Sequence, residues 1–415
     1  MRHNKEEFMR TMKRVAAVAL SVVVLMTSGV SAKAAVTDVQ PAKSSSEAVL
    51  KWAKKVGEPF DEKTYANNTV SKIKLVGNYL YVADDAKHRI MKIDKKDGTI
   101  LKEQKYCDES YIQGYVSSIG YGDGKVYVGY DNGRVQAFDE NTLESLWITD
   151  ENKNAINADF VFTNGKLYFG TTAKTTDWYD NGAPFSYYVV TTSDDDKTKP
   201  DEEKTMKKVV ESKTGKFYSK KGVVLGKYIV ISDTAGTLTM IDTTNDKVTD
   251  TKDIGEAFSG NITYDEMTGT IYFVAGTNDL YGIKVSADGK LKDEKKVRLY
   301  ETGYSATTPE VYNGKVYVSG SKGKAFQDKG YMAVADVSSD KYKVNYTVEL
   351  SNYSQCEPTI VKTGENSVRV YFTINDEPGG IYAIEDSKDA TSATLETVYE
   401  PTGDIKNTGC MSDVV

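Results

Sequence analysis

The sequence predicts an all-β protein, a β-propeller of four-stranded antiparallel blades, and three observations carry that reading. A tripeptide of large apolar residues returns seven times, as Leu80-Tyr81-Val82, Val126-Tyr127-Val128, Leu167-Tyr168-Phe169, Tyr228-Ile229-Val230, Ile271-Tyr272-Phe273, Val316-Tyr317-Val318 and Val370-Tyr371-Phe372. Its middle residues are spaced 46, 41, 61, 43, 45 and 54 apart, against about 40 to 50 residues for a four-stranded blade, so two steps carry insertions. Around each copy, period-2 apolar runs alternate with Gly, Asn and Asp turns, which is the pattern of successive hairpins. One sheet per repeat, packed radially on its neighbours, makes a propeller.

Gly122 to Trp147 is the clearest repeat. Its turns, Gly122-Asp123-Gly124, Asp131-Asn132-Gly133 and Asp139-Glu140-Asn141-Thr142, separate Val126-Tyr127-Val128, Val135-Gln136-Ala137-Phe138 and Leu143 to Trp147. The pattern "G-x-hydrophobic-Tyr-Val-Gly" followed by "hydrophobic-x-Ala-hydrophobic-Asp-x-x-(Thr/Gly)-x-x-x-x-Trp" resembles the PQQ-like (quinoprotein-like) β-propeller repeat of secreted bacterial proteins, over roughly Leu50 to the C-terminus. The resemblance is specific for fold and not for function. Eight-bladed rings are common in that family, so the resemblance favours seven complete repeats plus an incomplete eighth closed by an N-terminal strand; the alternative is a seven-bladed ring.

Taken in order, residues 1–34 read as a signal peptide. Arg2 to Arg14 is basic, Val15 to Val30 is apolar and Ala32-Lys33-Ala34 is a small-x-small cleavage site. The apolar run is shorter than the roughly 20 residues a membrane span needs, and no Cys follows it to carry a lipid. Residues 35–49 form a polar, Ser-rich lead expected to be disordered. Residues 50–415 are the propeller. Leu50-Lys51-Trp52-Ala53 repeats the strand end Leu146-Trp147 without the strands that precede it, which suggests an outer strand closing the last blade. Blade one is expected over Val70 to Lys105, blade four over Gly222 to Asp250 and blade five over Asn261 to Leu299. Blade three carries two insertions, Thr171 to Phe185 and Ser193 to Thr205, with Lys207 to Val210 as its outer strand; blades six and seven carry the loops Ser319 to Gly330 and Asn375 to Gly380. Cys410 to Val415 reads as the innermost strand of an eighth repeat, and the expectation is that the protein continues beyond it.

The chain has 53 basic and 60 acidic residues, a net charge of −7. Removing the signal takes away Arg2, Lys5, Arg10, Lys13, Arg14, Lys33, Glu6 and Glu7, leaving 47 bases against 58 acids, a net −11. That balance disfavours nucleic acid and anionic membranes as partners. The reading is of a secreted or surface-associated protein with no transmembrane segment in its mature part. Cys107, Cys356 and Cys410 make an odd count that closes no disulfide framework. Cys356 and Cys410 stand at matching positions of successive repeats, which leaves open a disulfide or two free thiols.

Strand order places the loops from strand four to the next strand one, and from strand two to strand three, at one mouth of the channel. There the repeats set an aromatic before Ser or Cys: Tyr115 with Ser117, Tyr218 with Ser219, Phe258 with Ser259, Tyr304 with Ser305, and Tyr353 with Ser354 and Cys356. The insertions add Trp178, Tyr179, Phe185 and Phe326. Rings with polar tips suit a glycan, a peptide or an aromatic ligand, and the candidate ligand-binding set is Trp178, Tyr179, Phe185, Phe326, Tyr115, Tyr218, Tyr304 and Tyr353. The competing reading is packing between blades, for which Tyr is equally suited.

Catalytic groups are sparse. His88 is the one histidine left after the signal, in the loop Asp84-Asp85-Ala86-Lys87-His88, which argues against a Ser-His-Asp triad or a multi-histidine metal site. The acid runs Asp194-Asp195-Asp196 and Asp201-Glu202-Glu203 lack the alternating ligands and turn glycine of a calcium loop, so Ca²⁺ has no support from spacing and no cofactor is expected. Dehydrogenases of the resembling family hold their quinone with adjacent cysteines, a stacking Trp and a Glu/Asn/Asp set around Ca²⁺. This chain has no adjacent cysteines and only Trp52, Trp147 and Trp178, so PQQ-dependent catalysis is not expected. The favoured function is an exported, non-catalytic binding or scaffold propeller for a glycan, peptide or protein. The alternatives are an extracellular lyase or hydrolase working with carboxylates and tyrosines, and a structural module of a longer cell-wall protein.

Overall fold

The computed structural model describes residues 51–54, 56, 71–108, 119–174, 184–193, 203–212, 214–217, 220–257, 260–303, 305, 307–323, 329–354, 356–375 and 380–399. Within them lie seven four-stranded antiparallel sheets, each a meander in which the strands pair in chain order. The blades span 74–105, 120–148, 161–212, 223–253, 263–298, 310–350 and 359–399. Every recurring tripeptide falls on the second strand of its blade, from Tyr79–Asp84 in blade one to Ser367–Ile374 in blade seven. Strand two has a neighbour sheet on both faces, which is why it is apolar throughout rather than alternating; Lys125–Gly129, for example, is buried along its whole length.

The core is divided into layers between blades. Separate clusters join blades one and two, two and three, three and four, four and five, five and six, and six and seven. The motif explains how the layers close. Its last glycine, at the end of strand two, lies under the loop entering the next blade: a Cβ on Gly129 would stand 2.6 Å from the Ile156 carbonyl oxygen, and one on Gly170 would strike the Phe217 side chain. The motif aspartate ends strand three and caps the outer turn. Asp94 accepts the Lys96 N–H (2.8 Å), Asp139 those of Asn141 and Thr142 (2.8 Å each), Asp242 that of Thr244 (2.9 Å) and Asp336 that of Ser338 (3.0 Å). These are Asx turns, for which Asp and Asn are chosen because a short side chain reaches its own backbone two residues on.

In three blades the motif tyrosine ties the blade to the next. Tyr81 donates to the Glu140 carbonyl (2.7 Å), Tyr168 to the Asp246 carboxylate (2.7 Å) and Tyr317 to that of Asp386 (2.7 Å), all on the outer edge of the following blade. Lysines two residues earlier join two of these pairs, Lys166 on Asp246 at 2.8 Å and Lys315 on Asp386 at 2.9 Å. Burial acts to raise the Asp246 carboxyl, but hydrogen bonds from Lys166, Tyr168 and Lys207 outweigh it and hold the group below its ordinary 3.8. A depressed native value means stability that is present above the unfolded value and lost as pH falls through the native one. Acid titration should therefore destabilise the wild type more than Asp246→Asn between about pH 5 and pH 3. Urea midpoints at the two pH values check this, and Asn is the right replacement because residue 246 has φ 57°, which Asn tolerates.

Trp52 answers to Trp147. Trp147 lies in the layer facing blade three, its ring centre 4.8 Å from Lys204 Nζ beside the last turn of that sheet. Trp52 packs on blade one as Trp147 packs on blade three, lying with Val56 over Val82, Met91 and Ile93, and donates its indole N–H to the Lys95 carbonyl at 2.9 Å. One detail differs from the sequence reading: residues 51–54 form no strand. Blade seven draws all four of its strands from 359–399, as seven complete repeats require. The reading of Cys410 to Val415 as an eighth inner strand lies outside the described residues.

Candidate functional site

The mouth predicted from strand order is assembled by backbone hydrogen bonds. In blade after blade, the loop between strands two and three bonds to the loop that leaves strand four for the next blade. The Asn152 N–H donates to Gly133 O (3.2 Å), Phe217 to Thr171 O (3.1 Å), Gly276 to Ala257 O (3.0 Å) and Asn375 to Tyr353 O (3.0 Å). Such lacing satisfies backbone groups that a loop over a packed sheet would otherwise strand. At these described loops the main chain holds the mouth together. The two feet of the blade-three insertion are tied to it, Ala155 bridging to Thr172 and the Asn154 amide donating to the Pro184 carbonyl (3.3 Å).

Of the eight candidate residues, Phe185 and Tyr353 are described. Phe185 is the first residue of strand three (Phe185–Thr191), is 2% exposed and packs in the layer between blades three and four. The sequence reading had placed it in the loop; the structure puts it in the core, where it has no ligand-accessible face. Tyr353 is 7% exposed, and its hydroxyl accepts a hydrogen bond from the Asn375 amide. Burial raises its phenol, an effect that this hydrogen bond partly offsets. Its ring belongs to the wall of the rim. Trp178, Tyr179, Phe326, Tyr115, Tyr218 and Tyr304 lie outside the described residues.

Of the hydroxyls that follow the aromatics, the described ones, Ser305 and Ser354, are turned inward. Ser305 donates to the Ser319 carbonyl (2.7 Å), Thr307 donates to the same oxygen (2.8 Å), and Ser319 donates to the Ser354 hydroxyl (3.0 Å). The chain entering the inner strands of blades six and seven is thereby fastened to the second strand of blade six, and a structural need accounts for Ser305 and Ser354. Cys356 continues the series, its sulfur receiving the Thr373 N–H at 3.0 Å; its suggested partner Cys410 is outside the described residues.

His88 closes the 3-10 turn Asp85–Lys87 with φ 48°, and its ring centre is 6.3 Å from that of Tyr106. It borders a depression of about 820 Å³ lined by Ala86 to Arg89 and Glu103 to Lys105, where Arg89 is already bonded to Asp84 and Glu103. Beneath it, burial first and then the charges of Asp85 and Asp84 push the Tyr106 phenol well up. Sequence reasoning had no signal for this polar layer, because its members are ordinary strand-end residues. Among the described residues no three His, Cys, Asp or Glu side chains converge as a metal site would require, and no helix is long and apolar enough to cross a membrane.

These features define a β-propeller. Among solved structures the chain is similar to BamB from Moraxella catarrhalis, with TM-score 0.51 and 12% identity over 77% of this chain and 83% of that one. It is also similar to a europium-containing methanol dehydrogenase (TM-score 0.41, 11% identity, 78% of this chain and 88% of that one). A third is the quinohemoprotein alcohol dehydrogenase from Comamonas testosteroni (TM-score 0.47, 13% identity, 73% and 62%). No protein-family model matches the sequence, and no curated protein matches it.

Proposed function

We propose that the chain is an exported, non-catalytic binding or scaffold propeller that presents the mouth of the two-to-three and four-to-one loops to a glycan, peptide or protein. The observation that carries this reading is the contrast at the rim. The motif aromatics and hydroxyls that are described there are consumed by packing, while the two feet of the blade-three insertion, at Thr172 and Pro184, are anchored to the rim on either side of the sequence that holds Trp178 and Tyr179. Anchored feet suit recognition, because less ordering entropy remains to oppose binding. The acidic surface favours a neutral or basic partner. Export rests on the N-terminal signal pattern.

A panel of glycans, cell-wall fragments and peptides titrated against the protein tests the proposal. Saturable binding to at least one class, weakened about tenfold or more in Trp178→Ala, is the expected result, as loss of a central aromatic anchor commonly costs that much. Binding that Trp178→Ala leaves intact would move the site elsewhere. Turnover of a panel member would favour an enzyme instead.

A further inference from the structure

Positive charge gathers at the axis of a chain whose net charge is negative. Lys72 and Lys74 lead into and begin the inner strand of blade one (Lys74–Val76), Asp159 leads into that of blade three (Val161–Thr163), and Lys221 into that of blade four (Val223–Leu225). Lys72 Nζ is 3.8 Å from Asp159 Oδ1. That contact passes over blade two, so it is made across the channel. Lys74 is two residues further along extended chain, on the same side and about 7 Å away.

Lys221 approaches from the other flank. Its neighbour Gly222 sits so close to blade three that a Cβ would stand 2.9 Å from Val161 Cγ2 and 3.3 Å from the Tyr187 hydroxyl. Tyr187 is 1% exposed, and its hydroxyl has no hydrogen-bond partner among the described residues. Burial, and after it the charge of Asp159, raises the Tyr187 phenol. Burial first, and then the charge of Lys221, lowers the Lys74 ammonium, an effect that Asp159 offsets in part. Charged side chains of blades one, three and four therefore lie within electrostatic reach of one another near the axis.

Three ammonium groups with one carboxylate repel one another in a space where the low-dielectric walls weaken screening. We propose that this part of the channel binds a small oxyanion, of phosphate or carboxylate type, held by Lys72, Lys74 and Lys221. Asp159 positions Lys72 and limits the excess charge. The site is separate from the rim loops, so its occupancy and recognition at the mouth can fail independently.

Calorimetric titration at low ionic strength with inorganic phosphate, and separately with succinate, tests the proposal on the wild type, Lys74→Gln, Lys221→Gln and Lys208→Gln. Lys208 is the control, an exposed residue paired with Glu211 at 2.6 Å on an outer strand. Saturable one-site binding is expected, weakened tenfold or more in Lys74→Gln and Lys221→Gln and unchanged in Lys208→Gln; the tighter of the two anions identifies the ligand type. The melting temperature should rise with the bound anion in the wild type and not in Lys74→Gln. Without anion, Lys74→Gln should melt at or above the wild type because it relieves repulsion, which separates lost binding from lost folding. Heats that never saturate with either anion, or equal affinities in all four proteins, would overturn the proposal.

Discussion

Asp386→Ala is expected to lower the unfolding free energy by about 3–5 kcal/mol, the usual cost of removing one partner from a buried charged pair. Asp386 is 3% exposed and takes hydrogen bonds from Lys315 (2.9 Å), Tyr317 (2.7 Å) and Tyr346 (2.5 Å). Burial first, and then this carboxylate, pushes both phenols up, so both stay protonated and donate. Truncation would leave an ammonium group and two hydroxyls buried in the layer between blades six and seven. Denaturant unfolding against Asp340→Ala, which removes a fully exposed partner of Lys295, isolates the effect of burial. The Asp340 variant should unfold with the wild type. Equal midpoints for all three proteins would mean that the Asp386 cluster does not join the blades.

Trp147→Ala should cost a similar amount, about 3–5 kcal/mol, since it empties a large space in a packed layer. The ring is 2% exposed, lies 5.7 Å from that of Tyr127 and is covered by Lys204. Its indole nitrogen has no hydrogen-bond partner among the described residues. Its value is therefore shape, and Trp147→Phe should lose distinctly less. Trp52→Ala removes the ring that packs on blade one as Trp147 packs on blade three; that ring is only half-buried, and the variant should rank below Trp147→Ala. A larger loss at Trp52 would mean that the two rings are not equivalent parts of the repeat.

The blades were readable because their signals are local. An apolar tripeptide buried on both faces, a glycine under an incoming loop and an aspartate capping a turn each leave a mark within one repeat. The outer strand of blade three was found in the same way, as Lys207–Ser212 against a predicted Lys207 to Val210. The pairs that join blades leave no such mark. Lys315 and Asp386 are 71 residues apart, and Lys72 meets Asp159 only because the ring turns back on itself. The mouth was legible as a set of loops but not as a set of exposed side chains. A Tyr or Ser at a blade junction has one spelling whether it packs or binds, and Phe185, Tyr353, Ser305 and Ser354 all proved to be packed. An insertion also blurs the edge of the strand after it, which moved Phe185 from loop to core.

The most direct test of the proposed recognition mouth is a paired titration of the ligand panel against Trp178→Ala and Met267→Ala. Met267 is 83% exposed on a turn between strands one and two, at the opposite mouth. Binding lost in Trp178→Ala and kept in Met267→Ala is the predicted result. Binding lost in Met267→Ala and kept in Trp178→Ala, or no binding by folded, monodisperse wild type, would contradict it.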